Sequence, residues 1–389
     1  MASVKRLELH QIGQIDDAEV AFGDLTLLVG PQASGKSVFL QMFKLVLDQA
    51  SIVRTLKRYG FSVNGDFTAL LQLMFGEGMG GVWPEGGRVE LDGRTVLPAS
   101  LLDDSSSAKD SVFFIPAQRV LTLEQGRPKS FESYRPLDPF AVKQFSEQLR
   151  QLMDRGLGGA SKQLFPQDGR MKKVLRDGLD AAIFHGAQVE EETDQLQKRI
   201  VIRAGGSKLP YMTWSAGQRE FMPMMLGFYW LMPQAGASKR TAVDWVVIEE
   251  PEMGLHPQAI QTVLVICLEL MHRGYRVLLS THSPLLLEAA WAIGALQQRG
   301  AGPDLLLELF ELGRGAALRD TFGTVLRDKT LRSYYFEADP RGRVTVRDIS
   351  TLDPFSDDAA IADWGGLTSF SSRAAEVVAR ATADARDAV

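Results

Sequence analysis

The segment GPQASGKS at residues 30–37 restricts the fold more than any other stretch of the chain. It fits the pattern G-x-x-x-x-G-K-[ST]. That pattern needs a strand before it and a helix after it, because backbone N–H groups and a helix N-terminus together cradle phosphate oxygens. Both flanks comply. LTLLVG (25–30) is a short apolar run that reads as a buried strand. SVFLQMFKLVL (37–47) places Gln41, Lys44 and Asp48 at spacings of three and four with apolar residues between, which is helical periodicity. The expected fold is therefore α/β, a mixed sheet flanked by helices. Gly30, Pro31, Gln32, Ala33, Ser34, Gly35, Lys36, Ser37 and Val38 are the expected nucleotide-binding set. Lys36 would reach the β- and γ-phosphates and Ser37 would hold Mg²⁺. Ala33 carries a Cβ, so it is expected in an ordinary backbone region.

Two downstream strands end in candidate chemistry. VDWVVIEEPEMGLHP (243–257) is an apolar strand closing on Glu249 and Glu250. Carboxylates at the carboxyl end of a parallel strand lie on the ligand side of such a sheet. Successive residues face opposite sides of the pleat. Glu249 is assigned to the Mg²⁺ and Glu250 to the attacking water. RVLLSTHSPLLLE (276–288) is a second strand with His282 just past its end. The helix between them, with Pro257 near its start and Gly274 past its end, makes the two strands parallel neighbours. His282 could contact the γ-phosphate or water, and a role in capping the following helix stays open.

TWSAGQREFMPMM (213–225) completes the series. Ser215 and Gln218 form a Ser-x-x-Gln capping box, which starts a helix whose N-terminus again offers N–H groups to an anion. Gly217 would allow close backbone approach to a ligand. In the order phosphate loop, Ser-x-Gly-Gln, Glu-Glu and His, the chain resembles the ABC-type ATPases. IEEPEMGLHP and STHSPLLLE look like the corresponding regions of OLD-type and related "AAA family" bacterial ATPases. The resemblance covers roughly residues 1–50 and 110–345. It implies ATP and Mg²⁺ as ligands, and a head-to-tail homodimer in which Ser215, Gly217 and Gln218 of one chain meet the nucleotide of the other. FFIPAQR (113–119) places Gln118 in the position of the family's Q-loop glutamine, a catalytic and metal-side role. Glu249 stands where most ABC heads carry Asp, and the signature reads Trp-Ser-Ala-Gly-Gln rather than Leu-Ser-Gly-Gly-Gln.

The remaining expectations concern organisation and partners. The head is read as residues 1–50 plus 111–350, with a β-rich insertion at 51–110, a helical lid at 120–205 and a tail at 351–389. The lid rests on the helical segments PFAVKQFSEQLRQLMDR and GRMKKVLRDGLDAAIF. An antiparallel β subdomain accompanies the parallel strands, and SYYFEADPRGRVTVRDIS (333–350) reads as a closing hairpin. A single cysteine, Cys267, and no long apolar run fit a cytoplasmic protein outside the membrane. A net charge of −5 argues against a basic coat. Two local basic stretches, VRTLKR (53–58) and RMKKVLR (170–176), leave direct DNA binding as an alternative. Residues 290–389 show no TOPRIM-like acidic strand end, so any nuclease is expected on a separately encoded effector. The family resemblance implies anti-phage defence or DNA transactions. Direct DNA repair and a non-hydrolysing scaffold are the alternatives.

Overall fold

The computed structural model describes residues 4–63, 65–106, 109–156, 162–194, 197–233, 239–313 and 316–387. Strands β1 (Arg6–Ile12) and β2 (Ile15–Ala21) form a hairpin, and β3 (Leu25–Val29) leads through the phosphate loop into helix α1 (Lys36–Arg58). Helix α2 (Phe67–Phe75) and strands β4 (Arg88–Leu91) and β5 (Arg94–Thr95) precede β6 (Val112–Ile115). Next come β7 (Leu123–Glu124), β8 (Arg127–Pro128), α3 (Phe140–Asp154), β9 (Gln163–Phe165) and α4 (Lys173–Leu179). They lead to β10 (Gln188–Asp194), β11 (Gln197–Ala204), β12 (Ser207–Pro210) and α5 (Ala216–Leu231). The chain then runs through β13 (Trp245–Glu249), α6 (Pro257–His272), β14 (Arg276–Thr281), α7 (Pro284–Gln298), α8 (Pro303–Leu309) and α9 (Arg319–Asp328). It closes with the hairpin β15 (Leu331–Ala338) and β16 (Val344–Asp348), then α10 (Ala359–Ala362) and α11 (Ser369–Asp387).

Ten strands make the main sheet, in the order β5-β4-β1-β2-β16-β15-β3-β14-β13-β6. The run β15-β3-β14-β13-β6 is parallel throughout. Every residue of β3 and of β13 is buried. Such continuous apolar runs form because helices cover both faces of a parallel sheet. Alternation splits the strands between two cores. Leu27 and Val29 join α5, α6 and α7 on one face, whereas Leu28 joins α1 and α2 on the other. Met222, Met224 and Met225 of α5 lie within the first core. Pro223 inside α5 removes the donor that would serve the Arg219 carbonyl, and the Tyr211 hydroxyl donates to it instead at 3.1 Å.

Several expectations change. The helix expected over the polar positions Gln41, Lys44 and Asp48 is present as α1, and two of them, Lys44 and Asp48, are buried. Lys44 Nζ donates to Asp48 Oδ2 at 2.6 Å and to the Val112 carbonyl at 2.7 Å, while Asp48 accepts from Ser111 and Val112. The pair therefore ties α1 to the start of β6 with its hydrogen bonds satisfied, which is what makes the burial tolerable. Burial alone would lower the Lys44 pKa, but Asp110 and Asp48 hold it above its ordinary value. Residues 51–58, expected to open the insertion, are instead the last turns of α1. The hairpin β4–β5 is not a separate layer, since β4 pairs with β1 and extends the main sheet. Residues 107–108 of the Ser/Asp loop lie outside the described residues.

Within 120–205 the expected helices are present as α3 and α4, but the region also holds most of an antiparallel sheet, β12-β11-β10-β9. Val189 pairs with Ile202 and Glu191 with Ile200; Val189 is the buried position of β10, and Glu190, Glu191 and Glu192 are half-buried. The basic stretches are largely occupied by intrachain partners. Lys57 pairs with Asp104, Lys172 with Glu269, Lys173 with Asp177 and Arg176 with Asp168. Among the described residues no helix is long and apolar enough to cross a membrane.

Candidate active site at the carboxyl ends of the parallel strands

Strand register brings the motifs together. Val29 of β3 pairs with Thr281 of β14, and Ser280 pairs with Glu249 of β13. Gly30, Glu250 and His282 therefore leave the sheet at one level. β14 lies between the loop strand and the carboxylate strand, so His282 stands between the phosphate loop and Glu250 in the strand order. Gln32, Ala33, Ser34, Gly35, Lys36, Ser37, Val38, Glu250 and His282 line one cleft of about 250 Å³ together with Gln14. No side chain caps α1 at Gly35, which leaves its first-turn N–H groups available to an anion.

The loop is held in a tight curl. A Cβ on Gly30 would lie 2.7 Å from the Phe336 carbonyl oxygen, and one on Gly35, at φ +86°, would lie 2.9 Å from Ile15. Ala33 overturns its expectation, with φ at +58°. Left-handed backbone costs an L-residue roughly 1–2 kcal/mol, so the surrounding loop must impose it. Gln14 contributes by donating from Nε2 to the Ala33 carbonyl at 3.1 Å. Lys36 Nζ donates to the carbonyls of Gly30 at 2.9 Å and Pro31 at 2.7 Å, and reaches Ser34 Oγ at 3.2 Å. Burial pulls its pKa down to about 8, against the opposing pull of Glu250 and Glu252.

The two adjacent carboxylates differ in environment. Glu249 is 1% exposed. Its Oε2 accepts from the Ala117 N–H at 3.0 Å, while Oε1 is buried without a hydrogen-bond partner. Burial pushes its pKa up to about 7, although the Ala117 N–H and the Ser37 hydroxyl draw it back. An orphaned carboxylate oxygen beside a serine hydroxyl is a donor set that fits Mg²⁺. Glu250 turns out of the strand with φ at +45° and is partly exposed, and His282 Nε2 lies 3.5 Å from its carboxylate. Ser283, not His282, stands at the N-cap of α7, so the capping alternative for His282 is not what the structure shows.

Two residues outside the sequence expectations organise this edge. Glu252 Oε1 accepts from the Thr281 hydroxyl at 2.8 Å and from the His282 N–H at 2.5 Å, fixing the backbone that carries His282. Arg119 is fully buried. It donates to the carbonyls of Glu220 at 3.2 Å, Glu249 at 2.9 Å and Glu250 at 3.0 Å. The Glu-Pro-Glu spacing after Glu249 is the one local signal for Glu252. Nothing local marks Arg119, because its acceptors come from distant segments. Gln118 is exposed after β6 and does not line the cleft.

Ser215 caps α5 as expected. Its Oγ accepts from the Gln218 N–H at 3.2 Å, and the Gln218 side chain accepts from the Ser215 N–H at 3.1 Å. Ser215, Gly217 and Gln218 do not line the cleft formed by the same chain's loop. Gly217 does permit a close approach, but the approaching group is the chain's own Gly254 carbonyl, 2.7 Å from where a Cβ would be. The absence of a side chain there seats α5 directly on the turn after β13.

Residues 99–288 match a family described as "AAA domain, putative AbiEii toxin, Type IV TA system". This span takes in Gln118, the Ser215 segment, both carboxylates and His282, but not the phosphate loop. A curated relative, the Old nuclease of Escherichia phage P2, is 31% identical over 80 residues, which is 21% of this chain and 14% of that protein. The chain thus spans a small part of that nuclease's length. Among solved structures, the SMC head domain from Thermotoga maritima aligns at 12% identity and a TM-score of 0.37, covering 89% of this chain and 98% of that one. The cbiO1 protein of Clostridium perfringens, part of an ABC transporter complex, aligns at 11% identity and a TM-score of 0.32, covering 72% and 80%. The motif order, the strand inserted between the loop and carboxylate strands, and the domain matched over residues 99–288 make the chain similar to OLD-like P-loop ATPases of the ABC type.

Proposed function

We propose that this chain binds and hydrolyses ATP, and that bound ATP closes two chains head to tail. The observation that carries this reading is a division of the motifs. Lys36, Glu250 and His282 converge on one cleft, while Ser215, Gly217 and Gln218 stand outside it. A second chain is what would bring the latter to the nucleotide. The loop N–H groups and Lys36 bind the phosphates. Glu250 accepts the proton of the attacking water, and His282 orients that water or the γ-phosphate. Ser37 and Glu249 are the residues fit to hold Mg²⁺, which when bound neutralises phosphate charge and polarises the scissile bond. Gln118, exposed beyond the cleft, joins them only if closure carries it inward.

The biological role follows less directly. The relative's name, a phage nuclease, and the family description, a toxin–antitoxin system, support anti-phage defence or DNA transactions with a separate nuclease-like effector. Direct DNA binding finds less support, since the lysines and arginine named above already have carboxylate partners. If DNA does bind directly, its affinity will fall steeply with salt.

Steady-state ATP turnover tests the catalytic reading. Glu250→Gln should lower turnover by about 10²–10⁴-fold while retaining ATP binding. Lys36→Ala should abolish nucleotide binding itself. Wild-type turnover no higher than that of Glu250→Gln would leave an ATP-binding scaffold rather than an enzyme.

A further inference from the structure

The place of Glu250 in the cleft depends on a backbone conformation that an L-residue does not choose. Its φ is +45°, in the left-handed region where Cβ crowds the following carbonyl. The surroundings must therefore impose it. β13 has ended at Glu249, and Glu250 opens a turn in which the Met253 N–H donates to the Glu250 carbonyl at 3.1 Å. The Glu250 N–H donates to the Ser280 carbonyl at 3.0 Å.

Two peptide planes meet at the Glu250 Cα, and φ and ψ are the only soft rotations between them. The Glu249 carbonyl lies in the first plane and the Glu250 carbonyl in the second. Arg119 grips both, with Nη1 donating to the former at 2.9 Å and Nη2 to the latter at 3.0 Å. A guanidinium is planar and rigid, so the spacing and angle between these donors are fixed. The fork thus sets the angle between the planes, and with it the direction of the Glu250 Cα–Cβ bond. That direction leaves the carboxylate 3.5 Å from His282 Nε2 at the cleft.

The fork is itself anchored. Arg119 is fully buried, and its Nε donates to the Glu220 carbonyl of α5 at 3.2 Å. The turn it holds also supplies Glu252, which accepts from the Thr281 hydroxyl and the His282 N–H. A shift of that turn would move Glu250 and the support of His282 together. Arg119 does not itself line the cleft, so its effect on turnover must pass through the residues it holds. We infer that Arg119 is a positioning residue for water activation, whose fork locks the peptide planes on either side of Glu250 and aims that carboxylate into the cleft. The inference rests on the role proposed above for Glu250.

Steady-state turnover and ATP binding of the full chain test it, measured below each variant's unfolding midpoint with circular dichroism matching wild type. Arg119→Lys keeps a buried cation but loses the fork. Its kcat should fall by about 10²-fold, the effect of a misplacement of about 1 Å near a reacting centre, while KM and ATP affinity stay close to wild type. Arg119→Met should lose at least as much. The deciding variant combines Arg119→Lys with Glu250→Gln. A residue that acts through Glu250 has nothing left to position there, so the double variant should turn over no more slowly than Glu250→Gln alone. Losses that multiply would place the effect of Arg119 elsewhere in the site. Wild-type kcat in Arg119→Lys, or a loss confined to KM, would show that the fork does not aim Glu250. Each of these overturns the inference and leaves the proposed function standing. Wild-type turnover no higher than that of Glu250→Gln would overturn both.

Discussion

Glu249 shows how much one side chain's setting can carry. Its carboxyl is pushed from 4.5 to about 7 by burial at the end of β13. Between those values the folded chain holds a proton that the unfolded chain has released. Stability from this group therefore falls as pH rises through the window, and the loss is complete above it. A shift of that size corresponds to about 3 kcal/mol at most. Glu249→Gln removes the titration. In Mg²⁺-free buffer the mutant should gain up to about 3 kcal/mol relative to wild type between pH 4 and pH 8, read from urea unfolding midpoints. A wild-type-to-mutant difference that stays flat across this range would mean that the buried carboxyl ionises normally. Adding Mg²⁺ with nucleotide should shrink the gain, because a cation at the orphaned Oε1 favours the ionised form.

At the level of elements, the sequence exposed what is local and concealed what is not. The loop, the capping box at Ser215, the Pro257 and Gly274 boundaries of α6 and the β15–β16 hairpin all rest on chemistry within a few residues. Each was legible for that reason. The inward-facing Lys44–Asp48 pair was not, because its acceptor and donors lie on the distant segment at Ser111–Val112. The positive φ of Ala33 depends on Gln14 in another hairpin. Arg119 is the extreme case, a single guanidinium joining the end of β6, the end of β13 and the first turns of α5. Arg119→Met would leave the buried Glu249 carbonyl and the part-buried carbonyls of Glu220 and Glu250 without this donor and should destabilise the chain by about 3–5 kcal/mol. Arg119→Lys should recover only part of that, because an ammonium cannot span three acceptors in the guanidinium's planar fork. Equal unfolding midpoints for the Lys variant and wild type would show that charge alone, not the fork, holds these segments.

For the whole molecule, the decisive question is whether a catalytic site is complete within one chain. The cleft gathers Lys36, Glu250 and His282 but not Ser215. If closure is head to tail, each site takes its loop from one chain and its Ser215 segment from the other. Two defective chains should then complement each other. Lys36→Ala spoils a chain's own loop, and Ser215→Arg spoils what it offers to its partner. Each variant alone should be inactive, although Ser215→Arg should still bind ATP. In a mixed dimer both lesions fall in one site and the other site is intact. Random pairing of equal amounts makes half of the dimers mixed, each with one good site of two, so turnover should recover to about a quarter of wild type. Titrating one variant into the other should give a maximum near equal proportions. A mixture as inactive as its components would place Ser215 in the same site as its own Lys36, and the division of motifs around the cleft would then need a different explanation.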